Sequence, residues 1–249
     1  MTISKTSENI QKLFNAVAAK YDFMNNIISL GLHKVVKKEC AAELDIKAHD
    51  RVLDACCGTG DFAYFIKQKE PMAFVSGVDF SQNMLNIAKK RMPDTDFQLM
   101  DVTNLAFEDN TFDFVTMGFG LRNIANPEKA LFEVYRVLKP GGKFLQLDFG
   151  CKNIFNKFFD FLTPLVAGIF TQNRGAYKYL IKSKKEFPEP DELIKDFEKI
   201  GFKFVNKRDF VFSALSAQIM KKYLYNSENV SVFDNLTALI NSFLQDVIN

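Results

Sequence analysis

The stretch Val52-Leu53-Asp54-Ala55-Cys56-Cys57-Gly58-Thr59-Gly60-Asp61 constrains this chain more than any other. An apolar run ending on an acidic residue, then closely spaced glycines and an amphipathic segment, reads as a buried strand leading through a tight turn into a helix. Open α/β sheets bind small molecules at such turns, outside the carboxyl ends of their strands. Gly58 and Gly60 let the main chain approach a ligand with no Cβ in the way.

The same strand-to-helix unit repeats downstream. The pattern predicts strands over 51–56, 73–79, 96–100, 112–117 and 142–149, with helices over 60–69, 81–91 and 127–138. Alternation of this kind specifies the α/β class and a mostly parallel sheet with right-handed crossovers. Ser81 is placed to cap one helix and Asn126-Pro127 another, which Gly141-Gly142 then stops. After an interruption at 151–185, a helix around Leu193 to Ile200 ends at Gly201, and strands follow near 202–208 and 210–219. Upstream, residues 8 to 30 read as helix, polar break at Tyr21 to Asn26, and helix, ahead of a further amphipathic segment from Lys34 to Leu44. A chain of 249 residues with 47% hydrophobic content fits one domain with a full core. It divides into an N-terminal helical cap over 1–50, the sheet, an apolar lid insertion at 151–185 and a C-terminal helical extension over 223–249.

A net charge of +2 argues against nucleic acid as a partner, since duplex binders carry a basic stripe or a far higher charge. Cys40, Cys56, Cys57 and Cys151 have no metal-ligand spacing, so no metal site is expected, and they suit a reducing cytoplasm. Met1 to Lys5 lacks the apolar core of a signal peptide, and no uncharged apolar run reaches about 18 residues. The expectation is a soluble or peripheral protein. The exception in composition is 27 phenylalanines without a tryptophan. Ile154 to Phe170 concentrates them, broken by Lys157, Asp160 and Pro164, and reads as a lid able to rest on a membrane surface. At the C-terminus Leu236, Leu239, Ile240, Phe243, Leu244, Val247 and Ile248 form a helical stripe suited to docking on the body or on a homodimer partner.

Three aspartates follow predicted strands: Asp54, Asp79 and Asp101. A carboxylate about 20 residues after the glycine turn can accept both hydroxyls of a ribose, and Asp79 has that place. The turn lacks the third glycine of the dinucleotide fingerprint, so nothing suggests a pyrophosphate cradle. An acid-rich site instead fits a cationic ligand, and S-adenosylmethionine carries both an amine and a sulfonium. The competing reading is that the aspartates only cap helices.

Leu53-Asp54 with Gly58-Thr59-Gly60-Asp61, Phe119-Gly120-Leu121-Arg122-Asn123, Tyr135 to Gly142, Ala176 to Leu180 and Phe187-Pro188 resemble the ubiquinone/menaquinone biosynthesis C-methyltransferases. Tyr21 to Asn25 and Ser29 to His33 match as well, so the resemblance spans about residues 8 to 222. It implies a class I methyltransferase: a Rossmann-like, seven-stranded, three-layer fold binding S-adenosylmethionine. Asp54, Gly58, Thr59 and Gly60 would form the cradle, with Thr59 at the methionine end. Asp79 would hold the ribose, and Asp101 with Val102 the adenine. The family usually carries serine at the position of Gly118, leaving a main-chain contact there. It also usually has tryptophan near Val36, and glycine and histidine where Ser213 and Gln218 stand.

The reaction so implied is carbon methylation of a polyprenyl quinol: demethylmenaquinol in menaquinone biosynthesis, with a methoxy-polyprenyl-benzoquinol in ubiquinone biosynthesis as a further substrate. Such a ring must lose a hydroxyl proton to become carbon-nucleophilic, and must be held in line with the methyl group. Arg122 is the candidate for stabilising the phenolate, His33 for the base, and Asp148 for a weaker acid/base role. Tyr21, Asn25, Asn123, Tyr177 and Tyr179 are candidates for orienting the ring oxygens. Two alternatives stay open: a methyltransferase for another small molecule, and a cofactor-binding assembly protein without chemistry.

Overall fold

A computed structural model of the chain describes residues 6–151, 153, 156, 157, 160 and 174–223. Seven strands form one sheet: β1 (Arg51–Ala55), β2 (Phe74–Asp79), β3 (Asp96–Leu99), β4 (Phe112–Gly118), β5 (Leu138–Phe149), β6 (Phe202–Phe210) and β7 (Leu215–Lys222). Their order is β3-β2-β1-β4-β5-β7-β6. The pairs from β3 across to β5 are parallel, while β7 runs antiparallel to both β5 and β6. The order reverses between β1 and β4. Crossovers leave in opposite directions there, which opens a crevice at the carboxyl ends of those strands.

Helices α1 (Ser7–Ser29), α2 (Leu32–Glu43), α3 (Asp61–Lys69), α4 (Gln82–Arg91), α5 (Pro127–Val137), α6 (Arg174–Lys185) and α7 (Pro190–Ile200) surround the sheet. Val36, Leu44, Phe62, Ile66 and Leu85 pack with Leu145, Leu147 and Ile219 on one face. On the other, Leu131, Val134, Leu193 and Phe197 pack with Val115, Met117, Phe144 and Met220. Phe144, Phe197, Phe202 and Tyr135 stack edge to face or tilted, with centroids 5.0 to 6.5 Å apart, so part of the phenylalanine excess is core. Among the described residues no helix is long and apolar enough to cross a membrane.

Ser81 and Asn126 cap α4 and α5 as their sequences require, accepting from the Met84 and Lys129 amides. Other boundaries differ from expectation for physical reasons. The polar residues 21 to 26 do not break α1. The helix ends instead at Leu30 and Gly31, both left-handed, with the Gly31 amide donating to Asn26 O at 2.9 Å. Gly141-Gly142 does not stop α5, because the chain is already extended at Leu138. The glycines serve a register shift in the β4–β5 ladder, where a Cβ at Gly142 would lie 2.9 Å from Asp113 O and Lys139 O.

The β6–β7 turn is later than the sequence suggests, and Val211, Phe212 and Ser213 all have positive φ. Left-handed backbone is costly for side chains with a Cβ, and most of all for a branched one. Ser213→Gly is therefore expected to stabilise the fold by about 0.5 to 1 kcal/mol, after allowing for glycine's greater freedom in the unfolded chain. Denaturant midpoints measure this, and a lower midpoint would mean that the turn is not left-handed at Ser213.

Candidate active site

The glycine turn is built from both sides. Cys57 N donates to Val78 O at 3.0 Å and Gly60 N to Cys57 O at 2.9 Å, which closes the turn onto β2. Cys56, Gly58 and Gly60 have positive φ. A Cβ at Gly58 would meet nothing within 4 Å, so that face of the turn is open, whereas one at Gly60 would lie 3.1 Å from the Phe97 ring. Burial pushes both neighbouring thiols well above the usual cysteine range, and they act as packing groups. Asp54 is buried beneath the turn, accepting from Ala63 N at 3.1 Å and Thr116 Oγ1 at 3.2 Å. Its pKa is pushed up to about 7 by burial, against the pull of those donors.

A cleft of about 690 Å³, counting its open mouth, lies over the turn, and Gly58, Asp79, Met84, Met100, Asp101 and Val102 help line it. Asp79 Oδ2 accepts from Gly58 N at 2.8 Å and Oδ1 from Ser81 N at 2.9 Å. Each oxygen keeps a second lone pair, enough for a diol. Burial raises the Asp79 pKa to about 6, opposed by the Ser81 and Gly58 amides. Asp101 is braced by Thr103, whose amide and hydroxyl both donate to Oδ1 at 2.9 Å. α1 crosses this cleft. Asn15 binds Ser81 and Asn83, the Gln11 amide donates to Phe80 O, and Asp22 accepts from Thr59 Oγ1 at 2.8 Å.

A second cavity, about 970 Å³ with its mouth, adjoins the first through Tyr21 and Phe119, which line both. Its described walls combine Ile28, Leu32, Leu180 and Leu215 with three cations, each backed by a carboxylate. Lys37 pairs with Asp61 at 3.0 Å, Arg122 with Asp148 at 2.8 Å, and Lys184 with Asp160 at 2.8 Å. Burial acts to discharge Lys37, but Asp61, together with Tyr21 and Asp54, outweighs it and the pKa rises, while Asp61 is held well below the carboxylate range against its own burial, by Lys37 and Arg91. Arg91 supports Asp61 from the other side at 2.7 Å. The Phe149 ring lies between two cations, 5.0 Å from Arg122 and 4.7 Å from Lys184. Among the described residues, several buried atoms around the two cavities have no partner: His33 Nε2, Arg122 Nε, Asn123 Oδ1 and Asp148 Oδ2. Unpartnered polar atoms around an apolar cavity suit a ligand that brings its own oxygens.

The model of the ubiE/COQ5 methyltransferase family matches residues 1–222. The chain belongs to that family. The demethylmenaquinone methyltransferase of Staphylococcus haemolyticus is 38% identical over 213 residues, covering 82% of this chain and 89% of that one. Its counterpart in Listeria welshimeri is 36% identical over 217 residues, covering 82% and 92%. Among solved structures, a SAM-dependent methyltransferase of Thermotoga maritima, a possible histamine N-methyltransferase, has a TM-score of 0.64 at 21% identity, covering 86% of this chain and 99% of that one. The cyclase SpnF has a TM-score of 0.66 at 16% identity, covering 90% and 98%. At such identities these two likenesses establish the fold alone, and their differing chemistries illustrate why.

Within this member of the ubiE/COQ5 family, the structure places Gly58, Asp79, Asp101, Val102 and Gly118 on the first cavity. It places Tyr21, Asn25, His33 and Arg122 on the second, while Asn123, just after β4, lines the first and donates its side-chain amide to Phe119 O. Asp148 reaches the site through Arg122. Asp54 is not among the residues lining the cleft but sits beneath the turn, braced by Ala63 and Thr116, and the Thr59 hydroxyl donates to Asp22. Tyr179 faces a third cavity, between α5, α6 and α7, with its hydroxyl unpartnered among the described residues. The Tyr177 side chain lies outside the described residues, as do all of 224–249 and most of 151–173, the larger part of the lid expected over 151–185, whose end forms α6. At Gly118 a Cβ would lie 2.5 Å from the Phe62 ring, so glycine there and phenylalanine at 62 are a matched pair. Sequence reasoning missed Lys37, Asp61 and Lys184. Lys37 had a signal, standing four residues after His33 on the same helix face.

Proposed function

We propose that this protein transfers a methyl group from S-adenosylmethionine to a ring carbon of a reduced polyprenyl quinone, demethylmenaquinol. The observation that carries this reading is the adjacency of the two cavities. One has a glycine turn and Asp79 for a ribose, the other has apolar walls set with cations, and both share Tyr21 and Phe119. The names of the relatives in Staphylococcus haemolyticus and Listeria welshimeri supply the substrate class.

S-adenosylmethionine, when bound, supplies an electrophilic methyl group on a sulfonium. Asp79 accepts the ribose hydroxyls, the open face of Gly58 admits the ligand next to the main chain, and Met84, Met100 and Val102 enclose the adenine beside Asp101. Arg122 donates to an oxygen of the quinol and favours its ionised form, while Tyr21, Asn25 and Asn123 orient the ring. Phe119, at the junction, excludes water from the space between the cavities. Asp148 fixes the guanidinium. The polyprenyl tail leaves past Leu32, and exposed Leu30 and Leu32 suit contact of this edge with a membrane surface. A homodimer remains a further expectation, carried by the C-terminal stripe alone.

Labelled cofactor with reduced and with oxidised demethylmenaquinone tests the reading. Transfer to the quinol and not to the quinone is the expected result. Cofactor binding without transfer to either would favour an assembly role instead.

A further inference from the structure

The second cavity carries a device that the reading above does not use. His33 is 6% exposed on α2, and its Nδ1 lies 2.6 Å from Ser29 Oγ. Ser29 Oγ in turn lies 2.6 Å from the Asn25 carbonyl oxygen. A contact that short between two oxygens needs a proton, and a carbonyl has none, so the serine hydroxyl hydrogen is committed to Asn25. The proton between Ser29 and the imidazole must then come from Nδ1. This fixes the neutral tautomer: Nδ1 is protonated, and Nε2 keeps a bare lone pair. Among the described residues Nε2 is also left buried without a partner, on a residue that lines the cavity.

Four residues on, Lys37 lines the same cavity. Its ammonium uses one bond for Asp61 and lies 5.7 Å from the centroid of Phe119, the residue at the junction with the cofactor cleft. Among the described residues two of its three donors stay available. We propose that His33 and Lys37 are the proton-abstracting pair of this site, with His33 Nε2 accepting the hydroxyl proton of the quinol and the Lys37 ammonium holding the oxygen that loses it. The proposal rests on the quinol methyltransferase reading and assigns it a base.

The step balances. The hydroxyl proton passes to Nε2 and the O–H electron pair stays on oxygen. The ring carbon then forms its bond to the methyl group as the carbon–sulfur pair leaves with sulfur; the proton on that carbon passes to solvent, its C–H pair restoring the aromatic ring as a phenolate, and the oxygen takes back the proton held on Nε2. The surroundings fit this sequence. Burial and then the Lys37 charge lower the His33 pKa to about 4, with Asp61 opposing them and Lys34 adding to them. The imidazole is thus neutral and competent before substrate arrives. A developing phenolate beside it raises its basicity as the proton moves. Arg122, Lys184 and Asp160 face the same space, with Tyr21 and Asn25 from α1.

The chain has only two histidines, so nitrogen NMR of the imidazoles is direct, with His49→Asn assigning the second signal. The expected result for ligand-free protein is a His33 ring protonated at Nδ1 and neutral down to about pH 5. The opposite tautomer would overturn the proposal. In turnover, His33→Gln is expected to lower kcat by about 100-fold or more at pH 7 with cofactor affinity unchanged, and to recover as rising pH ionises the quinol directly. Lys37→Met, which leaves Asp61 paired with Arg91, is expected to lower kcat likewise, with Lys37→Arg partly restoring it. Active wild type with an unimpaired His33→Gln variant overturns the pair and leaves the function standing. Wild type that transfers nothing to the quinol overturns both.

Discussion

Asp79→Ala is expected to weaken S-adenosylmethionine binding by on the order of 2 kcal/mol, roughly thirty-fold in Kd. Two effects combine. The variant loses the charged acceptor for a diol, and it frees the Gly58 and Ser81 amides that now fix the carboxylate and hold the turn in shape. The same carboxyl gives the affinity a pH dependence whose sign follows from burial. Its pKa stands at about 6 in the free protein, and ligand binding favours the ionised form. Affinity should therefore be highest above pH 6 and fall as the pH drops through that value, with proton uptake in the free protein opposing binding. Asp79→Asn should bind weakly with a flatter profile in that range. Calorimetric titration across pH 5 to 8 reads both, and an unchanged Kd in Asp79→Ala would move the ribose elsewhere.

Asp79 was legible in the sequence because its role depends on spacing along the chain: strand, turn, helix, strand. The sheet was legible for the same reason, since hydrophobic period and capping residues are local. What escaped was set by tertiary contact. Residues 21 to 26 look like a helix break because their composition is polar, yet that polarity faces inward, with Asp22 on Thr59 and Tyr21 on both cavities. Asp54 has the right type and place for a ligand contact, and only the structure reveals that it is buried beneath the turn, braced by Ala63 and Thr116, and off the cleft lining. Lys184 and Asp160 lie 24 residues apart in a segment read as an apolar lid, and their pairing across the cavity wall has no period to betray it. The departure at Gly118 became intelligible once the Phe62 ring was found in the space of a side chain.

Arg122→Ala is expected to abolish measurable turnover, and also to destabilise the fold by about 3 to 5 kcal/mol, because it leaves a buried carboxylate without its partner. Asp148 is 1% exposed, its Oδ2 has no partner among the described residues, and burial already pushes its pKa up against the pull of Arg122. The single variant therefore confounds stability with chemistry. Replacing both partners by apolar groups separates them. Arg122→Met with Asp148→Leu removes the pair without orphaning a charge, and such a replacement is neutral to about 4 kcal/mol stabilising where packing is kept. If Arg122 acts on the quinol oxygen, the doubly substituted protein should unfold at or above the wild-type denaturant midpoint and still transfer no methyl group. If Arg122 only anchors its loop, through Phe119 O and Asp148, restoring stability should restore turnover. A stable, active double variant would thus remove Arg122 from the chemistry and leave the phenolate to Lys37.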